Sequence, residues 1–154
     1  MGCATQRPAP KLHVTITNDE ADVYEAVFRY QFARRQSAGT FFIQIQDADP
    51  TPEFLLRFSG QTPAVKPASE ARFGRHSIVY DCQTRKESLI FDVGAIHWNG
   101  KKSAEVSGGY QEADLSASSN TYQLIRHGGQ WRVVKDTMNW IADARTSTWC
   151  NPRT

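Results

Sequence analysis

Four side chains in this sequence are placed to hold a ligand: Gln31, Arg35, His97 and Tyr110. Gln31 and Arg35 stand one helical turn apart and project from the same face as Ala21, Tyr24, Val27, Phe28 and Phe32, an apolar stripe at spacings of three and four. A buried polar group without a partner costs about 1–3 kcal/mol, so both must meet a partner, water or a cavity. His97 ends the alternating apolar face of a strand, and Tyr110 lies on the strand paired with it. Polar groups gathered at the mouth of an apolar cone would orient a ligand whose body is held by burial. The alternative is that Gln31 and Arg35 cap core backbone groups and His97 is solvated beside a turn.

Other chemistries find less support. His13, His76, His97 and His127 lack short metal-ligand spacing. The stretches GGYQ and HGGQ do not form a phosphate-cradling loop between strand and helix. Asp47, Asp81 and Asp136 lie near expected strand ends or turns, where solvated carboxylates are the default. Tyr30 and Tyr110 could donate inside a pocket, but are more often core residues with satisfied hydroxyls. No catalytic residue, metal ligand or cofactor site is assigned.

These residues need elements to position them. LHVTI (12–16) alternates as a short strand would, and Thr17 with Glu20 offers a capping box for a long helix that ends near Gly39. TFFIQIQD (40–47) reads as a strand, and Pro52 and Gly60 bracket a short second helix. Residues 61–74 are Pro-punctuated and aperiodic, a long loop or covering segment.

The second half reads as a meander. A two-residue turn at Asn99-Gly100 would set Trp98 against Lys101, Ala95 against Ala104, Val93 against Val106, Phe91 against Gly108 and Leu89 against Tyr110. All but the first pair then share one face, with His97 at its end, and Phe91 covers a glycine that has no side chain to pack. A second turn at Gly128-Gly129 sets Arg126 against Trp131, Leu124 against Val133 and Tyr122 against Lys135. This hairpin closes a core through Tyr122, Leu124, Trp131 and Val133, and leaves His127 solvated.

A long helix, a strand, a short helix and an antiparallel meander is an α+β order. With Leu115-Ser116-Ala117, Tyr122, Gly129-Gln130-Trp131 and Met138-Asn139-Trp140-Ile141, it resembles the nuclear-transport-factor-2-like, cystatin-like α+β roll. Within it, the ending is similar to a bacterial group of no established role. The resemblance spans about residues 12–141 and implies a long N-terminal helix wrapped by a curved antiparallel sheet, with a conical pocket between them. Members include isomerases, cyclases, dehydratases and binding modules without chemistry, so the resemblance bears on fold more than on activity.

The chain of 154 residues suits one domain: a tether over 1–11, a roll over 12–142 and a tail over 143–154. A net charge of +2 with interspersed signs argues against a nucleic-acid binder, and no apolar run reaches the roughly 20 residues a membrane helix needs. MGCATQRPAP has Gln6 where N-myristoylation wants Ser or Thr. It has the look either of a bacterial lipoprotein's mature start, with lipid on Cys3 at the cell envelope or periplasm, or of a tail with an incidental Cys; a cytoplasmic location stays open. With three Cys in all, Cys82 and Cys150 are the one candidate pair if Cys3 carries lipid, and spacing alone does not show that they meet. Two functions are in view. One is a non-catalytic domain that binds a small apolar ligand or a protein. The other is an isomerase- or dehydratase-like enzyme using acid–base residues in the same pocket. Ile90, Ile96 and Trp98 on an exposed outer sheet face would favour a homodimer.

Overall fold

A computed structural model describes residues 13–35, 39–114 and 116–143. The tether with Cys3, the tail with Cys150, and Leu115 lie outside the described residues. The capping box forms as expected: the Glu20 N–H donates to Thr17 Oγ1 at 3.3 Å and the Thr17 N–H to Glu20 Oε2 at 2.7 Å. Helix α1, Asn18–Arg34, starts there, and its stripe of Ala21, Tyr24, Val27, Phe28 and Phe32 is buried throughout. Residues 13–17 form no strand, contrary to expectation; Val14 and Ile16 pack on the core from irregular chain. The short helix α2, Pro52–Leu55, begins on Pro52 and runs on as a 3₁₀ turn to Phe58.

The fold is α+β, with one long helix against a large mixed sheet. The strands are β1 Phe41–Ile45, β2 Val65–Pro67, β3 Arg72–Phe73, β4 Val79–Asp81, β5 Lys86–Glu87, β6 Leu89–Trp98, β7 Ser103–Ala113, β8 Ser116–His127 and β9 Gln130–Asp143. Six of them run in the order β2-β1-β6-β7-β8-β9, and β3-β4-β5 make a separate small sheet. The expectation of a purely antiparallel sheet is corrected: β1 runs parallel to both β2 and β6. The segment read as a covering loop supplies β2 and β3. Phe42, Ile90, Val79 and Ala71 form a second buried cluster on the sheet's other face, so FFIQI is apolar on both sides because both sides are covered. Ile90 is therefore buried and belongs to no exposed dimerisation patch.

The first hairpin departs from its expected register. Its loop runs through residues 99–102 rather than a two-residue turn, with Trp98 opposite Ala104 and Asn99 N–H donating to the Ser103 carbonyl. Gly94 and Ala95 then bulge opposite Ser107, after which Val93 faces Gly108 and Phe91 faces Tyr110. A bulge inserts one residue and inverts the alternation beyond it. Leu89, Phe91 and Val93 point inward, but past the bulge Ile96 and Trp98 take the inner face, Trp98 standing edge-on to Trp131 at 5.7 Å. His97 is turned outward and exposed.

The second hairpin keeps its register near the turn, with Arg126 opposite Trp131 and Leu124 opposite Val133. Gly128 and Gly129 both adopt positive φ (58° and 78°), as a tight turn of that kind requires. A bulge at Val134 then sets Tyr122 against Asp136 instead of Lys135. Tyr122, Leu124 and Trp131 are buried, Val133 is half-buried and His127 is exposed.

One buried ion pair ties the small sheet to the large one. Asp81, 3% exposed, accepts from Lys66 Nζ at 3.0 Å, from the Gln83 N–H and from Thr40 Oγ1. Burial by itself would raise its pKa; the bonds from Thr40, Lys66 and the Gln83 N–H outweigh this and hold the carboxyl below its ordinary 3.8. A depressed folded pKa contributes stability that is present above the unfolded value and lost as pH falls through the folded one. The wild-type protein should lose stability below about pH 4. Asp81→Asn should cost about 1–3 kcal/mol at neutral pH and flatten that acid limb, measured by urea denaturation across pH. An equally steep limb in the variant would assign it elsewhere.

Candidate functional site

A cavity of about 190 Å³ opens between the C-terminal half of α1 and the inner face of the meander. The helix contributes Tyr30, Gln31, Arg34 and Arg35; Phe91, Gly109 and Tyr110 form the wall from β6 and β7; Ser118, Asn120 and Tyr122 line it from β8, and Asp136 and Met138 from β9. Of the four residues singled out from sequence, Gln31, Arg35 and Tyr110 meet here. His97 does not, because the Gly94-Ala95 bulge turned it to the opposite face.

Gln31 is 4% exposed. Its Nε2 donates to the Asp92 carbonyl at 3.3 Å, the Gly109 carbonyl at 3.2 Å and Tyr122 Oη at 3.3 Å. Gly108 makes room for this: a Cβ there would lie 3.3 Å from Gln31 Nε2 and 2.4 Å from the Asp92 oxygen. The two carbonyls also settle the amide's orientation, since a flip would set oxygen against oxygen. Oε1 is left buried with no hydrogen-bond partner among the described residues. Arg35 is half-buried with its guanidinium carbon 3.6 Å from the centre of the Tyr110 ring, and Arg34 lies over Tyr30 at 4.1 Å.

The far side carries a polar chain. Ser118 Oγ donates to Asn120 Oδ1 at 2.8 Å, Asn120 Nδ2 to Asp136 Oδ1 at 2.6 Å, and Tyr30 Oη to Asp136 Oδ2 at 3.1 Å. Burial pushes the Tyr122 hydroxyl up to about 12, against the opposing bond from Gln31. Burial, then the charge of Asp136, raises Tyr30. Both therefore stay protonated in the physiological range; Tyr30 donates to Asp136, and Tyr122 accepts from Gln31. Among the hydrogen bonds of the described residues, the Tyr122 proton has no acceptor.

Sequence reasoning missed Arg34, Ser118, Asn120, Asp136 and Met138 as lining residues. Part of this was legible: Ser118, Asn120 and Tyr122 alternate on one face of a strand, and two small or polar residues leading into a core Tyr mark a face leaving the core. Asp136 carried no such signal, because the Val134 bulge that brings it inward has no local signature. Among the described residues no cluster of three or more His, Cys, Asp or Glu is arranged to hold a metal ion, and no helix is long and apolar enough to cross a membrane.

No protein-family model, no curated protein and no solved structure matches this chain. Its class is defined by fold and site together: an α+β domain with a polar-floored cavity between one long helix and a mixed sheet.

Proposed function

We propose that the protein is a small-ligand binding domain that uses this cavity. The observation that carries the reading is Gln31, a buried amide in the cavity wall whose Oε1 finds no hydrogen-bond partner among the described residues. The volume sets the ligand's scale. Drug-sized ligands occupy about 300–1,000 Å³, whereas an apolar cavity of about 150 Å³ takes benzene, so about 190 Å³ suits a single ring. We read the helix lying against β6 and β9 as the packing of a cystatin-like roll of the nuclear-transport-factor-2-like type. An envelope location, with lipid on Cys3, belongs to the same proposal. The disulfide at Cys82 supports the oxidising compartment in this reading, since such bonds persist there, and does not bear on the lipid. A homodimer would use exposed apolar side chains of β8 and β9, such as Ile125 and Trp140.

The isomerase- or dehydratase-like alternative draws on Asp136 as base and Tyr122 as donor in one cavity. Both Asp136 oxygens already accept hydrogen bonds, and among the described residues no second carboxylate or histidine lines the space. A general base needs a poised pKa and reach to its proton, so the binding reading is the better supported.

The test is titration with phenol and with toluene, followed by NMR of Tyr122 and Met138. Phenol should bind roughly tenfold more tightly, because it alone can donate to Gln31. Gln31→Leu should erase that preference and, by stripping the Asp92 and Gly109 carbonyls of their partner, lower stability by about 1–3 kcal/mol. If neither ring perturbs Tyr122 or Met138 at millimolar concentration, the cavity is not a binding site.

A further inference from the structure

We propose that the ligand is a ring-sized organic acid, its carboxylate anchored by Arg34 and Arg35 and a hydroxyl or N–H at its other end donated to Gln31 Oε1. This rests on the cavity being a binding site and goes further by naming the ligand's chemistry at both ends.

The first ground is charge. Arg29 on the same helix and Arg57 on the 3₁₀ turn beside it are neutralised, Arg29 by Glu25 at 3.0 Å and Arg57 by Asp22 and Glu25 at 2.8 and 2.9 Å. Arg34 and Arg35 have no carboxylate within ion-pair distance among the described residues. The one carboxylate among the described lining residues, Asp136, is engaged on both oxygens by Asn120 and Tyr30. Two guanidiniums against one carboxylate leave a positive charge in excess at the cavity.

The second ground is geometry. A guanidinium resting on a ring uses its face for the cation–π contact and keeps its N–H donors around the rim. Arg35 over Tyr110 and Arg34 over Tyr30 are held in this way, pre-positioned and without a carboxylate partner among the described residues, an arrangement that suits a planar carboxylate. Gln31 lies four residues from Arg35, about 6 Å along a helix axis, the scale of one six-membered ring bearing a substituent at each end. The unpartnered Oε1 accepts and cannot donate, so the inner substituent must carry a hydrogen.

The experiment is calorimetric titration of the whole chain with 4-hydroxybenzoate, with 4-hydroxybenzyl alcohol, which replaces the charge but keeps the shape, and with benzoate, which lacks the inner donor. The proposal expects the acid to bind about tenfold or more tightly than the alcohol and than benzoate. R34Q/R35Q should bring the acid's affinity down to the alcohol's, and R34Q alone, at an exposed position, should do so in part if the double variant does not fold. Equal binding of alcohol and acid, or a preference that survives the substitutions, overturns the anionic anchor while leaving the cavity a binding site. Equal binding of benzoate overturns the role of Gln31. If none of the three binds, and phenol does not either, the binding reading falls with the inference.

Discussion

Replacing Phe91 by Ala lowers the free energy of unfolding by about 3–5 kcal/mol, the range for deleting a fully buried ring. Phe91 is 1% exposed and sits edge-on to Phe32 at 5.3 Å and to Phe41 at 5.2 Å, which themselves stack at 4.8 Å. These three rings join the helix to β1 and β6, so their contacts are made across the core and cannot be replaced locally. The cost is a large share of the about 5–15 kcal/mol that holds a domain folded. It should also reach the site, because the Phe91 ring is part of the cavity wall. The variant's cavity enlarges, and selectivity for a single ring over a larger apolar body should weaken. Urea denaturation measures the first effect; a loss under about 1 kcal/mol, the level of a surface change, would mean that the ring is not buried as described.

Gly109→Ala should be as damaging for the opposite reason. A Cβ at this position would lie 1.9 Å from the Ser118 carbonyl oxygen and 2.9 Å from its carbon. Both are backbone atoms of the neighbouring strand, so no rotamer change relieves the clash and β7 and β8 must part. Overpacking of this kind costs about 1–3 kcal/mol where side chains yield, and here the upper end or more is expected because they cannot. For a chain of this size that corresponds to a fall in melting temperature of about 6–12 °C. Parting the strands would also displace Ser118 and Asn120 from Asp136, so ligand response should fall with stability. Ser107→Ala, at an exposed position on the same strand, serves as the control and should change stability by less than about 0.5 kcal/mol. A Gly109→Ala melt within a degree or two of wild type would contradict the close approach of the two strands.

What the sequence by itself determined is local. The capping box of Thr17 and Glu20, the stripe from Ala21 to Phe32, the Pro52 start and the Gly128-Gly129 turn depend on residues within a few positions of one another, and each formed as expected. That Gln31 and Arg35 interrupt the apolar stripe belongs here too, since a polar residue on an apolar helix face is visible in periodicity alone. What only the tertiary structure decided is the parity of the strands and the partners of β1. A lone glycine within a strand, as at Gly94, suggests a bulge without fixing the register beyond it, and the bulge at Val134 has no local signal. Each bulge inverts which side chains face inward. The first turned His97 out of the cavity, and the second turned Asp136 into it in place of Lys135. The parallel pairing of β1 with β6 and the cover that β4 lays over Ile90 join segments far apart in the chain, and no local pattern carries information about contacts of that separation.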